Sequence, residues 1–169
     1  MFNRFYPDEY IDSTYAIDFE KLQKSGVKGI IFDIDNTLVE HGKPADKRAL
    51  ELFDRLKELG IKTCLVSNNK RPRVESFATQ VNSFYVFKAN KPSVKGYLKA
   101  MELMDTQKNE TVFIGDQLFT DVYGADRAGI YTILVKPIDR KEEIQIVLKR
   151  YLERIVLYFY ERDKKKGRI

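Results

Sequence analysis

The sequence predicts an α/β fold: a doubly wound, Rossmann-like parallel sheet covered by helices on both faces, giving three layers. Short apolar, β-branched segments alternate along the chain with longer segments whose apolar residues recur at helical spacing. Polar side chains follow the apolar segments, as expected at the ligand-binding edge of an open parallel sheet. The chain of 169 residues is 43% hydrophobic, which suits one domain, residues 1–169, with a substantial core.

Five strands separated by helices are expected, and this alternation favours right-handed crossovers. The strands are predicted at 27–32, 61–66, 84–87, 111–114 and 131–135. The helices are predicted at 18–24, 43–59, 73–79, 92–104, 118–128 and about 141–160. Asp18 is expected to cap the first helix, and glycines are expected to end helices at Gly26, Gly60 and Gly129. The residues expected to face the core from the second and fourth helices are Leu50, Phe53, Leu56, Leu59, Val94, Leu98, Met101 and Leu103.

Composition predicts a cytoplasmic protein. The first ten residues include Asp8 and Glu9 and contain no apolar run typical of a signal peptide. No apolar run approaches the roughly 18 residues of a transmembrane helix. Cys64 is the single cysteine and lies in an apolar segment, so we expect a core residue in a reducing compartment.

The net charge of +5 is concentrated at one end of the chain. The last thirty residues carry ten Lys and Arg against five Asp and Glu, which accounts for the whole excess. A neutral body with a basic tail indicates a local electrostatic contact or a solubility device, whereas a nucleic-acid-binding domain is typically basic throughout. We therefore expect no nucleic-acid partner.

Two carboxylates follow the first predicted strand. Asp33 and Asp35 stand directly behind the apolar segment, and Asn36 with Thr37 supplies residues typical of a turn. Alone, these acids could belong to a turn or to a calcium loop. An EF-hand loop needs glycine at its sixth position, where Leu38 stands, so the calcium alternative is excluded.

Polar signals follow four successive predicted strands, and their residue types suit phosphate monoester hydrolysis. After Asp33 and Asp35, the signals are Ser67 with Asn68, then Lys91, then Asp116 with Asp121. A carboxylate nucleophile repels a phosphate dianion, because unit like charges about 4 Å apart interact by roughly 4 kcal/mol at an effective dielectric of 20. Cations are therefore needed. Asp33 and Asp116 could hold Mg²⁺, Lys91 could add a second positive charge, and Ser67 beside Asn68 could donate to phosphoryl oxygens.

This ordered set resembles the motifs of the haloacid dehalogenase (HAD) superfamily of phosphatases, over about residues 27–135. The resemblance implies that Asp33 is the nucleophile, that Asp35 is the general acid and base, and that Ser67 and Lys91 act on the phosphate. It also implies a Mg²⁺ site formed by Asp33, the main-chain carbonyl of Asp35, Asp116 and Asp121. The segment from Ser13 to Asp18 ahead of the first motif resembles the subfamily IIIA phosphatases of the YqeG type, relatives of mitochondrial phosphatidylglycerophosphate phosphatases.

No cap module fits between the predicted elements, so an open site is expected. Such a site suits a phosphate ester displayed on something large, such as a lipid head group, although a soluble phosphoester stays open. Two weaker candidates for substrate contact are His41, near the acid loop, and the pair Arg71 and Arg73. Surface solvation is the simpler interpretation of all three.

A receiver domain is disfavoured, because its acid would follow the third strand, where Phe87 to Asn90 stand.

The C-terminal helix is expected to be amphipathic. Its apolar residues on one face, expected to pack on the sheet, are Ile144, Val147, Leu148, Tyr151, Leu152 and Ile155. The stretch 155–160 is apolar all round and leads into a basic tail. Three interpretations stay open: a core helix, a contact with a protein partner or second copy, and a peripheral contact with an anionic inner membrane. A non-catalytic module of the same fold that binds a partner through this helix is the alternative to an enzyme.

Overall fold

The structure is a computed structural model that describes residues 2–139 and 144–169. The strands are β1 (Glu9–Ile11), β2 (Gly29–Phe32), β3 (Lys62–Val66), β4 (Phe84–Val86), β5 (Thr111–Gly115) and β6 (Tyr131–Val135). The helices are α1 (Phe19–Lys24), α2 (Lys47–Glu58), α3 (Arg71–Val81), α4 (Lys95–Met104), α5 (Tyr123–Arg127) and α6 (Ile144–Lys165). Short 3₁₀ turns lie at Asn3–Phe5, Thr14–Ala16 and Lys108–Glu110.

The strands form one parallel sheet in the order β1-β6-β5-β2-β3-β4. From the central β2 the chain moves outward through β3 and β4, and then returns to the other side of β2 with β5 and β6. The loops after β2 and β5 therefore meet where the strand order reverses, which is the ligand-binding position of open α/β sheets. The predicted doubly wound parallel sheet is confirmed.

Strand β1 is an addition to the prediction. It pairs with β6 at the sheet edge, with Glu9 opposite Ile133. Three half-buried residues are too few to show a period of two, and so this short strand has no signal in the sequence.

The core lies on both faces of the sheet. Ile30 and Phe32 of β2 pack with the cluster under α1, α2 and α3, whereas Ile31 packs with the cluster under α4 and α5. This alternation is the period of a strand buried on both faces, and it produces three layers. Cys64 is fully buried in the second cluster, as predicted for a core residue.

Several helix boundaries differ from the predicted ones. α2 begins at Lys47 rather than at Lys43, because the Asp46 carboxylate accepts a hydrogen bond from the Ala49 N–H at 2.9 Å and caps the helix there. α4 begins at Lys95, three residues after Pro92. The predicted helix 118–128 is a π-helical turn, Leu118–Val122, followed by the short α5.

Two predicted core residues face solvent. Leu50 of α2 and Leu98 of α4 are 39% and 45% exposed. Each lies at the margin of its apolar stripe, and the core space is filled by Phe53, Leu56 and Met101. Helical spacing therefore identified the correct stripes but made them too wide.

The predicted orientation of α6 is wrong. The residues expected to face the sheet, Val147, Leu148, Tyr151, Leu152 and Ile155, are 40–66% exposed. The buried residues are instead Glu153, Val156 and Tyr160. Both faces of this helix are apolar, so periodicity could not select between them. The predicted start at about 141, and the side chain of Ile144, lie outside the described residues.

Aromatic residues near the amino terminus cover the inner face of α6. The Phe2 and Phe159 rings stack with centroids 5.3 Å apart, and Tyr6 packs edge-on against Tyr160 at 5.4 Å. The Tyr6 hydroxyl also donates to the Asp163 carboxylate at 3.0 Å. The two ends of the chain thus pack together beside β1 and β6.

The connections at the carboxyl edge of the sheet are short. Residues 33–46 lead from β2 to α2 through a turn containing one bridge, between Asp35 and Val39. The connection after β3 leads directly into α3. No cap is present in either connection, as predicted. Within the described ranges, no helix combines the length and apolar character needed to cross a bilayer.

Candidate active site

Strand β2 delivers Asp33 to the carboxyl edge of the sheet. Its N–H donates to the Ile114 carbonyl of β5 at 3.0 Å, and the residue is 6% exposed. The chain then turns through Asn36, whose φ of 62° is a left-handed conformation that asparagine tolerates. The Thr14 hydroxyl donates to the Thr37 carbonyl at 2.8 Å and fastens the turn to the amino-terminal segment. The loop 33–37, which we call the acid loop, is therefore bonded to β5 at its start and to the amino-terminal segment at its end.

Lys91 lies at the centre of the site. Its Nζ donates to Asp33 Oδ1 at 2.7 Å and to Asp121 Oδ1 at 2.6 Å, and its side chain is 4% exposed. Asn68 holds the main chain of this lysine, because its Oδ1 accepts the Lys91 N–H at 2.7 Å. Ser67, the residue before Asn68, is buried, and its Oγ accepts the Asn69 N–H at 3.1 Å.

Asp116 and Asp121 complete an acidic cluster with Asp33. Oxygen atoms from these three buried carboxylates lie within 4.8 Å of one another. The Thr37 hydroxyl donates to Asp116 Oδ1 at 3.1 Å, and the Gln117 N–H donates to Asp121 Oδ2 at 3.1 Å. Gly115 is required here, since a Cβ at that position would lie 2.7 Å from Asp121 Oδ2.

The cluster carries more negative charge than its lysine neutralises. Burial raises the pKa of Asp33 to about 7, attraction by Lys91 opposes the rise, and repulsion by Asp121 reinforces it. Burial, followed by repulsion from Asp121 and Asp33, also raises the pKa of Asp116. Carboxylate oxygens with excess negative charge are the donor set that a hard divalent cation such as Mg²⁺ prefers. The site residues fit that ion.

Asp35 lies in a different environment from Asp33. Its carboxylate accepts hydrogen bonds from Arg73 at 2.9 Å, from Asn69 at 2.5 Å and from the Gly42 N–H at 2.8 Å. Burial raises the pKa of Asp35, but these bonds and the Arg73 charge outweigh it, so the pKa lies below its ordinary value. The side chain of Asp35 is therefore held away from the three-acid cluster.

The structure brings most of the predicted site residues together. Lys91 joins the acidic cluster of Asp33, Asp116 and Asp121, and Asn68, which follows Ser67, bonds the main chain of Lys91. Of the weaker candidates, Arg73 reaches the site through Asp35, whereas Arg71 pairs with Glu75 of its own helix. His41 is exposed, but its charge contributes to lowering the pKa of Asp35.

Sequence reasoning missed two residues of α6. Arg150 donates to the Asp116 carbonyl at 2.5 Å and also bonds the Asp116 carboxylate. Glu153 accepts the Leu118 N–H at 2.8 Å and pairs with Arg150 at 3.0 Å. The available signal was a glutamate three residues after an arginine, which is the spacing of an ion pair on one side of a helix.

Comparisons with known proteins identify the family of this chain. The family model described as haloacid dehalogenase-like hydrolase matches residues 43–129. The chain is 42% identical to "Probable phosphatase YqeG" of Bacillus subtilis, over 98% of this chain and 95% of that protein. It is 26% identical, over 89% of its length, to the chloroplastic/mitochondrial phosphatidylglycerophosphate phosphatase 1 of Arabidopsis thaliana, of which it spans 46%.

A solved structure shares the fold. The cobalt-bound deoxy-D-mannose-octulosonate 8-phosphate phosphatase of Haemophilus influenzae superimposes with a TM-score of 0.56 at 17% identity, covering 68% of this chain and 70% of that one. The family model spans half of this chain, and the Bacillus protein matches nearly all of it. The chain therefore belongs to the haloacid dehalogenase-like hydrolase family, as one of its phosphatases.

Proposed function

We propose that this phosphatase hydrolyses phosphate monoesters through an aspartyl phosphate formed on Asp33, with Mg²⁺ as cofactor. The observation that carries the proposal is the position of Lys91, whose Nζ bridges Asp33 and Asp121 beside Asp116 at the switch point of the sheet. Burying a lysine and three acids costs free energy. A domain with a purely structural role would gain nothing from that cost, so the cluster favours a catalytic role.

In the first half-reaction, an Asp33 oxygen attacks phosphorus and the bond from phosphorus to the leaving oxygen breaks. Lys91 reduces the repulsion between the carboxylate and the phosphate dianion. Ser67 and Asn68 donate to phosphoryl oxygens as charge spreads over them. Asp33, Asp116 and Asp121 would hold Mg²⁺ through carboxylate oxygens, with the Asp35 carbonyl as a further ligand. The bound ion supplies the positive charge that offsets the nucleophile and the phosphate.

Asp35 moves the proton in both half-reactions. It gives a proton to the leaving oxygen, and it then takes one from the water that attacks the aspartyl phosphate, which regenerates Asp33. Arg73, Asn69 and Gly42 favour its ionised form before substrate binds. An incoming phosphate dianion favours the protonated form, because like charges disfavour ionisation.

Phosphatidylglycerophosphate is the proposed substrate, and a soluble or macromolecular phosphoester is the alternative. The short connections after β2 and β3 leave the site open to a phosphate displayed on a large body. The Arabidopsis relative is named for this lipid. The proposed location is cytoplasmic, with the enzyme peripheral at the inner membrane.

The outward side of α6 supports a membrane contact. We name the outer patch as the exposed apolar residues Val147, Leu148, Tyr151, Leu152, Ile155 and Tyr158, which are 40–67% exposed. Lys165, the last residue of α6, and Lys166 after it are both exposed and form a basic end to the helix. An apolar stripe flanked by lysines is typical of helices that bind anionic lipid surfaces, and each lysine contributes about 1 kcal/mol near such a surface.

The substrate is tested by measuring Mg²⁺-dependent phosphate release from phosphatidylglycerophosphate in mixed micelles, and from an aryl phosphate. The Asp33→Asn protein serves as the blank. Release from the lipid at the greater kcat/KM supports the proposal. Release from the aryl phosphate alone keeps the chemistry but refutes the lipid. If neither substrate releases phosphate with metal present, the non-catalytic partner-binding module is favoured.

The membrane contact is tested by co-sedimentation with vesicles, with and without anionic lipid. Leu148→Asp should reduce binding to anionic vesicles, whereas Leu98→Asp, the same substitution at an exposed leucine of α4, should leave it unchanged. Equal binding by both variants would remove the outer patch from the membrane contact. A change in oligomeric state with Leu148→Asp would assign the patch to a second copy of the chain instead.

A further inference from the structure

Helix α6 holds the loop that carries Asp116. Arg150 bonds this residue twice, at its main-chain carbonyl and at its carboxylate Oδ2. One turn further along α6, Glu153 accepts the Leu118 N–H at 2.8 Å. The segment from Asp116 to Leu118 is thus fastened to α6 at both ends, by side chains that pair with each other at 3.0 Å.

These contacts are sheltered from solvent. The exposed fractions of the side chains are 14% for Arg150, 6% for Glu153 and 0% for Asp116. Exposed ion pairs stabilise a fold little, but removing one partner of a buried pair leaves the other uncompensated. The guanidinium presents its donors in a rigid fork, which fixes direction as well as distance.

The bonds to Asp116 divide its two oxygens between two elements. Thr37 of the acid loop donates to Oδ1, and Arg150 bonds Oδ2. The carboxylate plane is therefore set from both sides. Partners that orient a metal ligand raise metal affinity in this way, and their removal typically weakens it about 10–100-fold.

The charge on Arg150 could have the opposite effect, since a cation beside a metal site repels the metal. Glu153 reduces this repulsion, because its carboxylate is bonded to the Arg150 guanidinium and offsets its charge. The pair is then close to neutral as a unit. Orientation of Asp116, rather than repulsion of the metal, becomes its main effect.

We propose that Arg150 and Glu153 are positioning residues that set the Asp116 carboxylate for the divalent cation, which makes α6 part of the metal site. The inference rests on the proposed Mg²⁺ site at Asp33, Asp116 and Asp121. It assigns to α6 a role in cation affinity that is independent of what its outer patch contacts.

The test measures the dissociation constant of Mn²⁺ by electron paramagnetic resonance, using the full chain. Arg150→Gln is expected to raise this constant by about 10–100-fold. Arg150→Lys keeps the charge but loses the fork, so an intermediate rise is expected. Arg154→Gln removes an exposed cation from the same helix and is expected to stay within about twofold of the parent. The loss of phosphatase activity in Arg150→Gln should diminish as Mg²⁺ is raised.

Thermal unfolding in EDTA separates positioning from a purely structural role. A fall in melting temperature with an unchanged Mn²⁺ constant overturns the proposal. So does tighter Mn²⁺ binding by Arg150→Gln, which would identify Arg150 as a competitor of the metal. If Arg150→Gln does not fold, the Mn²⁺ dissociation constants of Arg150→Lys and Glu153→Gln test the proposal in its place. A parent protein that binds no Mn²⁺ would overturn the proposed function first, and this inference with it.

Discussion

Asp33 and Asp35 follow the same strand with one residue between them, yet the fold gives them opposite environments. Asp33 belongs to the buried cluster with Lys91, where burial and neighbouring acids raise its pKa to about 7. Asp35 belongs to a more open group with Arg73 and Asn69, where hydrogen bonds lower its pKa. Ionisation is therefore opposed at one acid and favoured at the other. Burial and partners, rather than position in the motif, separate the proposed nucleophile from the proposed proton-transfer group. A divalent cation bound at the cluster would favour the ionised form of Asp33 that the proposed attack needs.

Among substitutions that remove the difference between the two acids, Asp33→Asn is expected to have the largest effect. Loss of the nucleophile should reduce turnover by roughly 10⁴-fold to 10⁶-fold, measured as phosphate release. The pKa of Asp33 rises from 3.8 to about 7 on folding, so its contribution to stability is present below about pH 4 and is lost as the pH rises through about 7. Asparagine does not ionise.

The Asp33→Asn protein in EDTA at pH 8 should therefore melt at or above the temperature of the parent. Melting curves at pH 5 and pH 8 check this, since the gain should appear at the higher pH. A lower melting temperature at pH 8, or retained turnover, would contradict the environment that we assign to Asp33.

A smaller effect is expected from removing the lysine of the buried cluster. Lys91→Met leaves the buried carboxylates of Asp33 and Asp121 without the ammonium that they share, and it should lower the free energy of unfolding by about 3–5 kcal/mol. The exposed Lys95→Met is the matched control, with a change expected within about 0.5 kcal/mol. Urea denaturation in EDTA measures both. Similar losses in the two variants would show that the cluster does not depend on Lys91.

The smallest effect is expected from changing the group around Asp35, which includes Arg73 and Asn69. Arg73→Gln removes the charge that favours ionised Asp35, so the pKa of Asp35 should rise. If Asp35 must be protonated for the first half-reaction, the alkaline limb of the pH profile should move upward by about 1 pH unit. Arg71→Gln, which removes an arginine paired with Glu75 instead, should leave the limb in place. A limb unmoved by Arg73→Gln would assign the proton transfer to another group.

The sequence predicted the buried cluster better than the open group for a topological reason. Parallel strands that follow one another with helices between them bring their carboxyl ends to one edge, so Asp33, Lys91 and Asp116 could be placed together from their order alone. The partner of Asp35 depends on the direction of one side chain in the first turn of α3. Spacing along the chain does not specify that direction.

Helix α6 illustrates the limit of pattern reasoning in this chain. Leu148 and Val156 are both apolar, but the first is 66% exposed and the second 3%. The choice between faces depends on Arg150 and Glu153 reaching a loop more than thirty residues earlier in sequence, and on the aromatic cover from Phe2 and Tyr6. Such long-range contacts leave no periodic signal.

The packing of Phe2 against Phe159 has a consequence for biosynthesis. A ribosome extends the chain from its amino end, and a domain generally folds as a unit. By the time residue 139 has been added, the acids and the lysine of the cluster have all been made, but Arg150 and the helix that closes over Phe2 have not. At that stage the aromatic amino terminus has no Phe159 or Tyr160 to cover it. Under the role that we propose for Arg150, the late addition of α6 would both complete the metal site and cover the aromatic amino terminus.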